Sequence, residues 1–252
     1  MKILAIHAHP DDIEFLAAGT LALLKEQGHE IVMATVANGD KGTPDKRCEE
    51  IAVIRREEAK RSAALLGAEY HCLEFPDFEI FDDDRSRRAV TEFLRRVNPD
   101  IVLTANPEDY MADHINTSVL VRNAAFVGGL RNYFTGLAPV MDHIPALYYM
   151  DPLEGIDTLG YRRQPEFCVD ISSAIALKEQ MLAAHASQRE WLRKHHGVDQ
   201  YLISMKEWAA ERGAEFGFAY GEGFVQHKGH AYPRENVLAR LLPMEKIRTT
   251  KM

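Results

Sequence analysis

Cysteine is scarce in this sequence, and its scarcity excludes two classes of small, cross-linked protein. Only Cys48, Cys72 and Cys168 occur among 252 residues. Their scattered spacing fits neither a zinc finger nor a disulfide framework. A reducing, cytoplasmic setting is therefore expected. The N-terminus carries only a short apolar run that histidines interrupt, without a small-residue cleavage site, so no signal peptide is expected either.

Long apolar runs and an excess of positive charge are also missing. No segment approaches the roughly 20 apolar residues that a membrane-spanning helix needs, so no membrane span is expected. The formal net charge of -8 at pH 7 argues against a broad nucleic-acid-binding surface. The first predicted strand is not followed by a Gly-x-Gly-x-x-Gly turn, which disfavours a dinucleotide-dependent enzyme.

What the sequence does contain is a regular alternation of strand-like and helix-like segments. The alternation predicts an α/β fold, a Rossmann-like three-layer structure in which helices cover both faces of a mostly parallel sheet. No internal repeat or flexible linker interrupts it, so residues 1–252 are interpreted as a single domain. Its C-terminal segment, about residues 198–252, is expected to close over or flank the site. Predicted strands span 2–6, 30–37, 70–75, 100–106, 146–150 and 167–171, and predicted helices span 13–27, 49–66, 87–97, 117–127 and 173–196, with stops at Gly28, Gly67 and Gly197.

Polar residues follow three of the predicted strands. Residues 9–12 come after the first strand, residues 38–40 after the second, and residues 106–114 after the fourth. Ligands of open parallel sheets bind beyond the carboxyl ends of the strands. These three loops are therefore expected to meet at one edge of the sheet and to form a site there.

The stretch His-Pro-Asp-Asp at residues 9–12 is the strongest candidate for chemistry at that edge. A variant capping box, with Asp11 and Glu14 at a helix start, would explain the acidic residues but not His9. An imidazole and a carboxylate together suit a zinc ion. A catalytic zinc site needs a third protein ligand, and His114 offers one on the loop after the fourth strand.

The segment "AHPDDIE" resembles the signature of the LmbE-like, or PIG-L, family of zinc-dependent de-N-acetylases. Weaker similarities follow in the order that the family shows, and together they cover most of the chain: "ANGDKGT", "IRREEAKRSAALLGAE", "ADH", "KEQMLAAHASQ" and "YGEGF". Carried over residue by residue, the resemblance implies His9, Asp12 and His114 as metal ligands and Asp11 as the general base. It also favours a substrate-binding role for Arg55, and Gly39 could let a sugar approach closely.

The resemblance implies a reaction as well as a site. The expected activity is removal of an N-acetyl group from an N-acetylglucosamine-type sugar or conjugate, by attack of a metal-bound water. Zinc is the implied cofactor, with iron as an alternative, and the partner is a small N-acetylated sugar conjugate. Two alternatives stay open: a hydrolase of a different amide or ester, and a catalytically impaired member that binds metal or sugar. Assembly into a homo-oligomer is also left open.

One motif departs from the family pattern. Many members carry His-Pro-Asp-His where residues 111–114 read Met-Ala-Asp-His, and a methionine cannot donate a hydrogen bond. Tyr110 is the nearest replacement donor in sequence, and His227 and His230 are further candidates. Asp113 is expected to orient a histidine or to bind substrate. Tyr110 and Asp113 therefore join the general base as candidate catalytic residues.

Four other residues have structural interpretations. His7 is expected to be a satisfied core histidine or a supporting one, on the same side of its strand as the histidine two positions later. His185 is expected to be structural or part of an interface, inside the long helix 173–196. Arg55 and Glu58, spaced by three, would form a surface ion pair if the arginine does not bind substrate.

Overall fold

A computed structural model of the chain describes residues 1–189 and 200–250. The described strands form one sheet in the order β3-β2-β1-β4-β5-β7-β6-β8. Strands β1 to β5 are parallel to one another, whereas β7 runs antiparallel to β5 and β6, and β8 runs antiparallel to β6. The prediction of a mostly parallel sheet is confirmed. The strands are β1 Lys2–His7, β2 Glu30–Ala37, β3 Glu69–Phe75, β4 Ile101–Thr104, β5 Ala146–Met150, β6 Phe167–Asp170, β7 Gly221–Gln226 and β8 Ile247–Thr249.

Helices cover both faces of this sheet, as the sequence predicts. Side chains alternate along β1, so Ile3 and Ala5 enter one core cluster and Leu4 and Ile6 enter the other. The first cluster contains apolar residues of α2, α6 and α7, and the second those of α4 and α5. None of the helices described is long and apolar enough to cross a membrane. The helices whose bounds both lie among the described residues are α1 Asp12–Leu16, α2 Ala18–Glu26, α3 Cys48–Leu66, α4 Asp84–Val97, α5 Ala112–Val127, α6 Ile175–Ala183, α7 Gln200–Glu215 and α8 Val237–Arg240, with short 3-10 helices at Leu153–Gly155 and Met244–Lys246.

The strand order reverses at β1, and this reversal places the site. β1 pairs in parallel with β2 on one side and with β4 on the other. The chain leaving β1 and the chain leaving β4 therefore emerge side by side at the carboxyl edge of the sheet. Open α/β sheets bind their ligands at such a switch point. The expected meeting of residues 9–12 with residues 106–114 is confirmed.

The predicted helix 13–27 is two helices, α1 and α2, which a kink at Ala17 separates. The kink frees the backbone N–H groups of Gly19 and Thr20, which donate to the two carboxylate oxygens of Glu222 at 2.9 and 2.7 Å. Lys178 lies 2.6 Å from the same carboxylate, and both charged side chains are buried. The carboxylate of a buried ion pair between β7 and α6 thus accepts the free N–H groups at the start of α2. A local sequence pattern could not reveal this contact.

The prediction of one continuous helix over 173–196 is wrong. Helix α6 ends at Ala183, and His185 lies outside it. The imidazole of His185 is fully buried, with its Nε2 3.0 Å from Oε1 of Glu14 on α1. The chain leaves the helix at the point where this side chain turns toward α1. Residues 190–196 and the predicted stop at Gly197 lie outside the described residues.

Candidate active site

A tight turn connects β1 to α1 and carries two adjacent carboxylates. Asp11 sits in the left-handed region at φ 107°, which a residue with a Cβ rarely adopts. Its side chain does not cap α1, so the capping-box interpretation is wrong. Arg55 on α3 fixes the turn by donating from Nη2 to the backbone oxygen of Pro10 at 2.6 Å. The strained turn therefore directs the Asp11 carboxylate away from the helix start.

The second carboxylate, on Asp12, lies among histidines. Its Oδ2 is 2.6 Å from Nδ1 of His7 and 3.4 Å from Nε2 of His114, and it accepts the backbone N–H of His9 at 2.7 Å. One ligand atom from each of His7, Asp12 and His114 lies within 4.8 Å of the others. The Nε2 atoms of His7 and His114 are buried and have no hydrogen-bond partner. Buried nitrogens of this kind are rare unless a ligand satisfies them, and imidazole with carboxylate is a zinc-binding set, so the residues present fit a divalent metal ion.

His9 lies beside this group but is not one of its three members. Its Nδ1 is 3.6 Å from Oδ2 of Asp12, and its Nε2 is 3.0 Å from Oδ2 of Asp113. His114 has the same kind of support, because its Nδ1 is 3.0 Å from Oδ1 of the buried Asp109. Metal-binding histidines usually place their second nitrogen against a carboxylate in this way. The ring of His7 differs, since its nearest carboxylate is Asp12 itself.

The two adjacent carboxyl groups have different electrostatic environments. Burial raises the pKa of Asp11, the charge on Asp12 adds to the rise, and Arg55 and Tyr201 offset it only in part. Burial acts on Asp12 as well, but the neighbouring His7 and His114 rings hold its pKa well below the usual range. Asp12 therefore keeps its negative charge more readily, while Asp11 is the better proton acceptor of the two. In active sites, the environments of two neighbouring acid–base residues commonly push their pKa values apart in this manner.

A cavity of about 420 Å³ opens over these carboxylates, a volume that suits a small ligand. A second cavity of about 320 Å³ adjoins it and shares Phe15, Leu153, Glu154 and Ser204 with it. No lysine or arginine lines either cavity among the residues described, whereas several carboxylates do. The first is lined by Asp11, Asp12, Phe15, Leu16, Tyr110, His114, Leu153, Glu154, Gln200, Tyr201 and Ser204.

The sequence-predicted catalytic candidates occupy different positions around this cavity. Tyr110 lines it, remains 55% exposed, and places its ring edge-on to His114 at 5.4 Å between centroids. Asp113 lies behind His9 and also accepts the backbone N–H of Phe78 at 2.7 Å. The two candidate donors of the C-terminal segment, His227 and His230, do not line the cavity. Tyr110 is thus the predicted replacement donor that reaches the site.

Arg55 and Gly39 pack against each other outside the cavity lining. A Cβ at Gly39 would lie 2.6 Å from Cδ of Arg55, and the glycine has φ 78°. Any other residue at this position would clash with the Arg55 side chain and strain the backbone. The alternative of a surface ion pair with Glu58 is wrong, because both side chains are buried and Glu58 instead accepts from Ser187. The role of Arg55 and Gly39 in substrate binding stays a prediction.

Three residues of the site were missed or misread in the sequence. Asp109 lies five residues before His114, a spacing that could have indicated a supporting carboxylate. His7 is expected to be a satisfied or supporting histidine; its Nδ1 does support Asp12, but its Nε2 has no hydrogen-bond partner, so the expectation is met only in part. Tyr201 gave no signal at all, although its hydroxyl donates to Oδ2 of Asp11 at 2.6 Å across 190 residues of sequence.

Several known proteins resemble this chain in sequence or in fold. A profile of the PIG-L family, described as GlcNAc-PI de-N-acetylase, matches residues 4–125. Diacetylchitobiose deacetylase of Thermococcus kodakarensis is 32% identical over 192 residues, covering 74% of this chain and 70% of that protein. 4-Oxalmesaconate hydratase of Pseudomonas putida is 27% identical over 66% of this chain and 62% of that protein. The solved structure of N,N'-diacetylchitobiose deacetylase from Pyrococcus horikoshii superimposes with a TM-score of 0.75 at 26% identity, covering 94% of this chain and 88% of that one.

Proposed function

Because this chain belongs to the PIG-L family of de-N-acetylases, we propose that it is a metal-dependent hydrolase that removes the acetyl group from an N-acetylglucosamine-type sugar or conjugate. One observation carries the proposal. A half-buried carboxyl group with a raised pKa, Asp11, forms part of the wall of a cavity directly beside a His-Asp-His group able to hold a metal ion. A general base next to a Lewis-acid site is the arrangement that amide hydrolysis requires.

The metal is proposed to be zinc, held by His9, Asp12 and His114. Each of the two histidines has a carboxylate on its other ring nitrogen, as a ligand should, whereas His7 is positioned to orient Asp12. When bound, zinc supplies a Lewis acid that polarises the acetamide carbonyl and lowers the pKa of water. An alternative in which His7 replaces His9 as a ligand follows directly from the grouping of the three donor atoms.

Proton transfer is assigned to Asp11. Its Oδ2 already accepts from Tyr201 and Arg55, so Oδ1 is the oxygen left to take the proton of the attacking water. The same carboxyl group then delivers that proton to the departing amine, which leaves poorly as an anion. Partial burial, together with the charge on Asp12, raises the pKa of Tyr110, so its hydroxyl stays protonated at neutral pH and can donate to the developing oxyanion. Tyr110 would thereby take the place of the donor that Met111 cannot supply.

The acetamido sugar is proposed to occupy the cavity over the carboxylates. The rest of the conjugate would extend into the adjoining cavity, toward Ile156 and Trp208. The two spaces share part of their lining, so a substrate larger than one sugar ring could fill both without rearrangement of the described residues.

A hydratase is the second candidate, because one relative is named for the hydration of 4-oxalmesaconate. That name denotes a polycarboxylic acid, whose several negative charges exceed what one bound divalent ion can neutralise, so such a substrate requires further cationic groups around it. The described lining instead contributes Asp11, Asp12 and Glu154 and no lysine or arginine. The electrostatics of the cavity therefore favour an uncharged N-acetyl sugar over a polyanion.

The test compares the zinc-loaded protein with its Asp11→Asn variant on a panel of N-acetylglucosamine conjugates, following free amine. We expect amine release by the wild type and a fall of about 10²- to 10⁴-fold in the variant at equal zinc content. Chelation should abolish the activity and added zinc should restore it. Full activity in the Asp11→Asn variant, or in the chelated protein, would refute the proposal. Turnover of an unsaturated polycarboxylate without amine release would assign the hydratase.

A further inference from the structure

The geometry points to Tyr201 as a positioning residue for the general base, an inference that rests on the proposed function. Tyr201 lies at the start of α7, in the C-terminal part of the chain, and its hydroxyl donates to Oδ2 of Asp11 at 2.6 Å. A hydroxyl–carboxylate contact of this length is a charge-assisted hydrogen bond, which is stronger than one between neutral groups. No motif in the sequence brings these two residues together.

The tyrosine ring is fixed independently of this hydrogen bond. Tyr201 is only 8% exposed and belongs to a small core cluster with Leu182, Leu202 and Met205. Its ring also contacts Phe15 at 5.7 Å between centroids. The hydroxyl therefore contacts Asp11 from a side chain whose position is fixed by packing. Residues that support a catalytic group need to be held in place in this way. Removal of the oxygen alone leaves these apolar contacts in place.

Two donors from two different helices hold the same oxygen of Asp11. Arg55 on α3 approaches Oδ2 at 3.3 Å, but the same nitrogen also donates to Pro10 at 2.6 Å, so its hold on the carboxylate is the weaker one. The torsion that turns an aspartate carboxylate is soft. With Tyr201 in place, two donors hold Oδ2, and Oδ1 is the carboxylate oxygen left for the proton of the attacking water. Without it, the carboxylate can rotate toward the guanidinium and present the wrong oxygen.

This placement predicts an effect on turnover rather than on binding. A misoriented base lowers the fraction of complexes in which proton transfer can occur, while the metal ligands and the remaining cavity wall are unchanged. Tyr201 acts through Asp11 and does not itself exchange a proton with the substrate. A role in substrate binding would instead raise KM and leave kcat unchanged.

The experiment compares Tyr201→Phe with Tyr232→Phe, a matched control. The hydroxyl of Tyr232 also donates at 2.6 Å, to the backbone oxygen of Arg122, and Tyr232 does not line the cavity. For Tyr201→Phe we expect kcat to fall about 10- to 100-fold, with KM within about twofold and zinc content unchanged. An unchanged kcat, or a rise in KM alone, would overturn the inference. An equal loss in Tyr232→Phe would overturn it too, because the effect would then be general.

A second readout separates this inference from the proposed function. In a proton NMR spectrum of protein with isotope-labelled tyrosines, the Tyr201 hydroxyl proton should be shifted to low field by the Asp11 carboxylate. This signal should disappear in Tyr201→Phe and change its position in Asp11→Asn. This measurement needs no turnover. If the wild type releases no amine from any conjugate, the proposed function fails, whereas the spectrum still reports whether Tyr201 holds Asp11. Absence of the signal in the wild type would refute the contact on which the inference stands.

Discussion

Replacing Glu222 with glutamine should strongly destabilise the protein, because this carboxylate joins three parts of the fold. It accepts the backbone N–H groups of Gly19 and Thr20 and lies 2.6 Å from Nζ of Lys178, with side-chain exposures of 2% for Glu222 and 1% for Lys178. Removing one partner of a buried ion pair leaves an uncompensated charge and costs about 3–5 kcal/mol. In a chain of this length each kcal/mol lowers Tm by about 2–4 °C, so a fall of about 6–20 °C is expected.

Thermal unfolding followed by circular dichroism measures this loss, with the exposed Glu26→Gln as a control that should change Tm little. The double variant Glu222→Gln with Lys178→Met also removes the unpaired lysine charge. Its Tm should therefore fall less than that of Glu222→Gln alone. A single variant within about 1 kcal/mol of the wild type would refute the reasoning, since one unsatisfied buried charge already exceeds that figure. It would mean that Lys178 finds another partner or loses its proton.

Two further predictions concern the metal. His9→Ala should lose zinc, whereas His7→Ala should weaken zinc binding by about 10- to 100-fold, as measured against a competing chelator; the reverse order would make His7 the ligand. Zinc affinity should also rise between about pH 6 and pH 9. In the metal-free protein burial lowers the pKa of His9, but Asp113 and Asp12 raise it to a net value of about 10, and the pKa of His114 is raised too. Both rings therefore carry protons that zinc must expel, and a pH-independent affinity would contradict this.

Much of the fold was predictable because its signals are local. The apolar runs of the strands and the glycine stops at Gly28 and Gly67 need only a few neighbouring residues, and both glycines have positive φ as such stops require. The convergence of residues 9–12 with residues 106–114 follows from parallel pairing alone. The motif that indicates metal chemistry is also local, because two of its proposed ligands, His9 and Asp12, lie on one turn.

The remaining features depend on contacts that are distant in sequence. The kink between α1 and α2 coincides with the hydrogen bonds that Glu222 accepts, and the end of α6 coincides with the burial of His185 against Glu14; no local pattern shows either. Helix α5 begins at Ala112 rather than at the predicted residue 117, which places His114 on a helical turn instead of a loop. The second hydrogen bond to the general base comes from Tyr201, far along the chain. Local periodicity thus finds the elements, and tertiary contacts decide where they bend and what they support.

The interior position of β7 constrains the order in which the molecule can fold. β7 is the strand that connects β6 and β8 to the parallel strands, since it pairs with β5 on one side and β6 on the other. During synthesis the first five strands can therefore pair before β6 and β8 have any place to attach. Sheet completion waits for β7, which ends at Gln226, and then for β8 at Ile247–Thr249, and the long loop that must close makes this step slow. The parallel strands would meanwhile expose the β5 edge, the surface on which an unfinished chain is most prone to aggregate.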